Sequence, residues 1–149
     1  MNIIPVLHWV FSQQKVTEAA RTVYGLGYDV FVVTKASGSA AQVGVPEAQK
    51  LAMKLGKGFF YLPDLPDAVE VFEPSLVILL VPPKYAEATL DPDEIKNAHG
   101  KVMVVVGGAE PGLSKRELEL GKAVTIEGFQ DDVGSIGTLA IALYMIRRS

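Results

Sequence analysis

The amino-acid sequence predicts an α/β domain built on a mostly parallel sheet with helices on both faces. Two observations carry that prediction. Apolar, β-branched runs alternate with helix-like segments along all 149 residues. Two of the runs, SLVILLV (75–81) and KVMVVV (101–106), stay apolar where a half-exposed strand would alternate. Strands covered on both faces read this way.

In chain order, NIIPVL (2–7) reads as a short buried strand. The next segment sets Val16, Ala19, Ala20, Val23 and Leu26 on one helical face, with Gly25 and Gly27 ending it. YDVFVVT (28–34) is a β-branched strand, and KASGSAAQVG has the composition of a loop. Pro46 stands just inside the next helix start and Gly56 just past its end. FFYL then reads as a strand and DLPDAVEVF as a short helix, and Pro82 and Pro83 stop the 75–81 strand. Asp91 is a candidate cap with Pro92 at the first helical position. KVMVVV follows as a strand, SKRELEL as a short helix, AVTIEG as a strand and GSIGTLAIALYMIRR as the closing helix. That helix is apolar nearly all round, through Ile136, Leu139, Ala140, Ile141, Ala142, Leu143, Met145 and Ile146. It is expected to be buried on every side.

Residues 1–149 are expected to form a single domain, large enough to stand without a disulfide or metal staple. The chain has no cysteine, which excludes thiolate metal sites and a cysteine nucleophile and suits a reducing, cytoplasmic setting. No apolar run approaches the roughly 18–20 residues of a membrane span, and the N-terminus lacks the basic region of a signal peptide. Fourteen basic against 17 acidic residues give a net charge of −3. That balance does not point to nucleic acid, which usually selects a basic excess.

In open parallel sheets, ligands bind beyond the carboxyl ends of the strands. VPPK after Val81, GGAEPGL after Val106 and EGFQDDVGS after Ile126 occupy such ends. In the second, Ser114 and Glu117 have the spacing of a capping box, and Leu113 and Leu118 that of a hydrophobic staple. Gly107, Gly108 and Gly112 supply a sharp turn, and a strand-to-helix turn needs nothing more. As a ligand loop it has neither G-x-x-x-x-G-K-[ST] nor G-x-G-x-x-G. Glu110, Asp131 and Asp132 disfavour a polyphosphate and would tolerate a nucleoside bearing a sulfonium cation. His8, just past the first strand, is at the same end, placed either as a base or as a structural histidine. Trp9 is either a stacking surface or core, and His99 follows a helix whose C-terminus it suits.

GGAEPGLSKRE resembles the G-P-E-G-G-L-S-x-x-E loop of the knotted SPOUT-class methyltransferases, in the branch that methylates uridine N3 of ribosomal RNA. Gly108, Glu110, Gly112, Leu113, Ser114 and Glu117 match, with Ala109 for the proline and Pro111 for the first inner glycine. GSIGTLAIALYMI resembles the last motif of that class, and ARTVYGLGYDVFVV the arginine-bearing first motif of its SpoU-like members. The resemblance implies a C-terminal trefoil knot, a homodimer through the last helix, S-adenosyl-L-methionine as cofactor, RNA as substrate and no metal. By the same resemblance Arg21 matches the arginine that orients or activates the RNA nucleophile; Arg21 and His8 are the candidate catalytic residues. Cofactor contacts are implied at Val81, Pro82, Gly107, Gly108, Glu110, Gly112, Leu113, Ile126, Gly128, Ser135 and Ile136. Lys15, where SpoU-like enzymes have asparagine, and Ser135-Ile136-Gly137 in place of S-L-N depart from the pattern for ribose chemistry.

Two other readings fit the residues. One is a non-catalytic protein of the same fold that binds an adenosyl ligand or a partner. The other is a metal-dependent nuclease, because Pro66-Asp67 and Glu94-Ile95-Lys96 mimic a PD…ExK signature. That signature needs Glu and Lys on one strand, facing one side. DPDEIK reads instead as the first turn of a helix, where residues i and i+2 diverge, so the nuclease ranks last.

Overall fold

A computed structural model describes residues 2–110 and 112–149, so Pro111 of the glycine loop lies outside the described residues. The chain runs β1 (Asn2–Val10), α1 (Gln13–Gly25), β2 (Val30–Ala36), a π-helical turn (Ala40–Gly44), α2 (Val45–Leu55) and β3 (Gly58–Leu62). It continues through α3 (Leu65–Phe72), β4 (Leu76–Leu80), a 3-10 turn (Pro83–Tyr85), β5 (Ala88–Thr89), α4 (Pro92–Asn97) and β6 (Lys101–Gly107). It closes with α5 (Lys115–Leu118), β7 (Lys122–Thr125) and α6 (Gly134–Arg148). The strands form one seven-stranded sheet in the order β3-β2-β1-β6-β4-β7-β5. Every pairing among the described residues is parallel.

Helix starts follow from local chemistry. The Ser12 side chain accepts from the Lys15 amide, Asp64 from Leu65, Asp91 from Asp93 and Ser114 from Glu117. Each cap satisfies an amide that the first helical turn leaves unpaired. At the end of α2, Gly56 turns left-handed at φ 68°, which a side chain would resist. Two local features were not legible. The loop predicted over 35–44 contains a π-helical turn, entered by amides of Ser37 and Ala40 bonded to the Val10 and Phe11 carbonyls. The two-residue β5 exists as the sheet edge because the Glu87 and Leu90 amides donate to the Ala123 and Thr125 carbonyls of β7.

The two sheet faces are covered unequally. Helices α1, α2, α4 and α6 contribute to one core cluster, with Leu7, Val10, Phe31, Val33, Ile78 and Val104 from the sheet. Among the described residues the other face carries α3 and α5, with Leu65 and Ala68 of α3, Leu118 of α5 and Leu113 just before it packed on Ile4, Val6, Val32, Met103 and Val105. Helix α6 corrects the expectation of burial on every side. Leu139, Ala142, Leu143 and Ile146 are fully buried, whereas Ile141 is 38% and Tyr144 51% exposed. The Tyr28 hydroxyl donates to the Leu143 carbonyl at 2.6 Å and ties α6 to the turn before β2. No helix among the described residues is long and apolar enough to cross a membrane.

Candidate active site between two capped helices

The sparsely covered face ends in a row that holds two buried polar side chains. In register across the sheet lie Leu62 of β3, Thr34 of β2, His8 of β1 and Gly107 of β6. His8 and Thr34 are the buried polar side chains of the core, both completely inaccessible. Strand alternation puts them on the side of Ile4, Val6 and Val32, beneath the gap between α3 and α5. Each of those helices brings one carboxylate to the gap.

Asp64, the cap of α3, uses one oxygen on the Leu65 amide at 2.8 Å. Glu117, the third residue of α5, uses one oxygen on the Ser114 amide at 2.8 Å, completing the capping box that the spacing predicts. Its other oxygen accepts from His8 Nε2. On the far side of the ring, His8 Nδ1 is 2.7 Å from the Thr34 hydroxyl. One ligand atom each from His8, Asp64 and Glu117 lies within 4.8 Å of the others.

The electrostatics follow from this packing. Burial pushes the Glu117 carboxyl up, yet the Ser114 amide and the neighbouring His8 outweigh it and hold the group below the usual carboxylate range. A carboxylate only accepts, so Nε2 carries the proton in that contact. Ligation of a cation through Nε2 needs the proton on Nδ1 instead. The Thr34 hydroxyl serves either tautomer, because it accepts as readily as it donates. One imidazole nitrogen and two carboxylate oxygens form a donor set that suits a divalent cation such as Mn²⁺, Zn²⁺ or water-rich Mg²⁺. The residues therefore fit a metal, which corrects the expectation of none.

The family model described as RecB-family nuclease (DUF2122) matches residues 38–145. The chain belongs to that family. A DUF2122 assignment agrees with two curated relatives. A candidate type II restriction enzyme of Aeropyrum pernix, ApeKORF2002P, is 47% identical over 148 residues, covering 99% of this chain and 94% of that protein. MjaORF1200P of Methanocaldococcus jannaschii, also named a candidate type II restriction enzyme, is 38% identical over 138 residues, covering 93% and 91%. Solved structures place the DUF2122 fold elsewhere. A probable methyltransferase from Bordetella pertussis Tohama I superposes with a TM-score of 0.76 at 17% identity, covering 99% of this chain and 95% of that one. The SpoU methyltransferase AviRb from Streptomyces viridochromogenes gives 0.73 at 12%, covering 99% and 59%. The SPOUT-class resemblance thus holds for the fold, and a fold does not fix a chemistry.

The expectations of methyl transfer, of S-adenosyl-L-methionine and of an RNA substrate are overturned by the family and by the names of these relatives. The glycine loop offers a physical reason. A Cβ on Gly108 would lie 2.9 Å from the Val10 Cβ and 3.0 Å from the Trp9 carbonyl, and one on Gly107 3.0 Å from the Gly112 Cα. These glycines are needed because the turn closes on itself and on β1, with the Gly108 amide bonded to the His8 carbonyl at 2.7 Å. Val81, Ile126 and Leu113 are core or packed against it, and Ile136 is half-buried under the first cluster. Pro82, Glu110 and Gly128 are exposed, and Gly112 and Ser135 half-buried. These residues lie at the ends of the adjacent strands β6, β4 and β7, with Ser135 and Ile136 in the first turn of α6.

Arg21 is not brought to His8. It is exposed on α1, across the sheet, where it edges a shallow apolar hollow with Leu26, Ala140, Ile141 and Tyr144. His99 is exposed beyond α4. The PD…ExK mimic is not assembled either. Asp67 is on α3, whereas Glu94 and Lys96 are on α4 under the opposite face, with Glu94 paired to Lys122 at 3.2 Å. The family is that of a nuclease, while the carboxylates that meet His8 are Asp64 and Glu117, not those of the motif. The sequence reading missed Asp64, Thr34 and the second role of Glu117. A signal for Glu117 existed, since its capping box opens a helix at the same strand end as His8.

Proposed function

We propose that this chain is a divalent-metal-dependent nuclease acting on DNA, with His8, Asp64 and Glu117 as the metal ligands. The observation that carries the reading is the convergence of those three side chains at the carboxyl ends of β1 and β3, in a chain of the DUF2122 family. Two carboxylates repel a phosphodiester unless a cation lies between them. A bound divalent ion would supply Lewis-acid polarisation of a phosphoryl oxygen and a water acidic enough to attack phosphorus. The chain's own residues do the rest. Thr34 orients the imidazole, the α3 and α5 caps aim the carboxylates, and complete burial keeps water from the far side of His8. Despite the negative net charge, cations flank the site. Exposed Lys35 follows Thr34, and exposed Lys115 and Arg116 directly precede Glu117, positioned for flanking phosphates.

We further infer that residues 1–149 work as one domain. Helix α6 leaves edge-side β7 and returns to pack on α1, α4 and β6, a path that supports the trefoil knot implied by the SPOUT-class resemblance.

Calorimetric titration with Mn²⁺ tests the site. One equivalent bound by the wild type and none by Asp64→Asn or Glu117→Gln is the expected result. Equal binding by all three proteins, or none by the wild type at millimolar Mn²⁺, would remove the metal centre from the reading.

A further inference from the structure

Beside the proposed metal site, two adjacent strands carry the same irregularity. Trp9 follows His8 at φ 61°, and Lys35 follows Thr34 at φ 51°. Both are left-handed residues with side chains, a conformation that glycine adopts far more readily. They fall in the same gap of the β1–β2 register, between the pairs His8–Thr34 and Val10–Ala36. Strain of this kind persists where the surrounding structure enforces it, and it concentrates at functional sites.

Its structural effect can be read from the cores. Leu7 and Val10 both pack in the first cluster, and so do Val33 and, partly buried, Ala36. In a regular strand, residues three apart face opposite sides. The left-handed residue shifts the alternation by one in each strand. Trp9 and Lys35 are thereby kept out of that core, and neither belongs to the other one. They end one peptide step, about 3.8 Å between Cα atoms, beyond His8 and Thr34. The Lys35 ammonium stands 5.9 Å from the Trp9 ring centroid, and the Phe11 ring meets Trp9 edge-on at 5.6 Å. Phe11 is 48% exposed, Lys35 is exposed and Trp9 is half-buried. Aromatic surface with a cation at its rim, next to a site for phosphate chemistry, matches what an unpaired nucleotide presents: a π face and a charged backbone.

We propose that Trp9, Phe11 and Lys35 form a stacking platform for a nucleobase of a single-stranded or locally unpaired nucleic acid, whose backbone then runs toward His8, Asp64 and Glu117. The direction of that backbone rests on the nuclease reading; the platform itself does not. Duplex DNA hides its base faces, so the platform prefers unpaired strands.

Trp9 is the single tryptophan of the chain, which makes the test direct. Labelled oligothymidylate is titrated into the protein with chelator present, and anisotropy of the label and tryptophan fluorescence are followed together. The expected result is saturable binding with matching quenching of Trp9, weaker for a duplex of equal length. Trp9→Leu should weaken binding by at least about 5-fold, the lower limit for losing one stacked base. Lys35→Ala, which leaves the fluorophore in place, should weaken binding and reduce quenching at a given strand concentration. Binding without any change in Trp9 fluorescence would overturn the platform, and so would the absence of binding. Quenching in a protein that cleaves no DNA would leave the platform standing and sink the nuclease reading alone.

Discussion

The Glu117 carboxylate joins His8 to the start of helix α5: one oxygen accepts from the imidazole Nε2 and the other from the Ser114 amide. One residue thus serves local helix geometry and the chemistry of a site whose other members lie more than fifty residues earlier in the chain. Replacing it should separate the two roles. Glu117→Ala removes both acceptors and is expected to destabilise the fold by about 1–3 kcal/mol. Glu117→Gln retains a carbonyl for the Ser114 amide, so it should cost less than the alanine while still abolishing metal-dependent cleavage. Chemical denaturation beside a cleavage assay checks the pair.

Thr34 touches no solvent, and its hydroxyl is the partner of His8 Nδ1 at 2.7 Å. Thr34→Val keeps the shape and leaves that nitrogen without a partner, a loss of about 1–3 kcal/mol. If Thr34 fixes the imidazole for a metal, the same change should weaken cation affinity by about 10–100-fold. Calorimetry on folded protein reads the second effect apart from the first.

The glycine loop is expected to tolerate change unevenly. Gly108→Ala puts a methyl 2.9 Å from the Val10 Cβ and 3.0 Å from the Trp9 carbonyl, and should cost about 1–3 kcal/mol or more. Gly128→Ala meets open space and pays only for its left-handed backbone, φ +99°, about 1–2 kcal/mol. Thermal unfolding should rank the variants in that order.

Alkaline pH should loosen the first core. Burial raises the Tyr24 and Tyr28 hydroxyls to about 12. For an acid held neutral by folding, the native state binds its proton more tightly than the unfolded chain does. The contribution is complete below the unfolded value near 10 and is lost as pH rises from there toward 12. Tyr28→Phe also loses the 2.6 Å hydrogen bond to Leu143. It should lower stability at neutral pH and flatten the alkaline decline, as urea titrations between pH 8 and 11 would show.

Most of the fold was legible because apolar runs and caps are local signals. KVMVVV became central β6, Gly56 ended α2, and the Ser114–Glu117 spacing became a complete capping box. The site was only half legible. His8 was expected just past a strand ending at Leu7, whereas it stands inside β1 near its carboxyl end; Asp64 reads as an ordinary helix cap until the sheet order sets β3 two strands from β1. Thr34 is one β-branched residue in a strand full of them, and only the register shows it beside His8. The glycine loop misled for the same reason. Its spacing resembles a cofactor loop, while the contacts that demand glycine come from Val10 and Trp9, a hundred residues away in sequence.

The central claim is most directly tested by incubating plasmid and linear DNA with the purified protein in Mg²⁺ or Mn²⁺, with and without chelator, beside Asp64→Asn. Asparagine caps a helix as well as aspartate does, so the variant should fold normally. The account predicts cleavage that requires the metal, stops with chelator and vanishes in Asp64→Asn. Cleavage that persists in Asp64→Asn, or DNA left intact by the wild type under every metal condition, would contradict it.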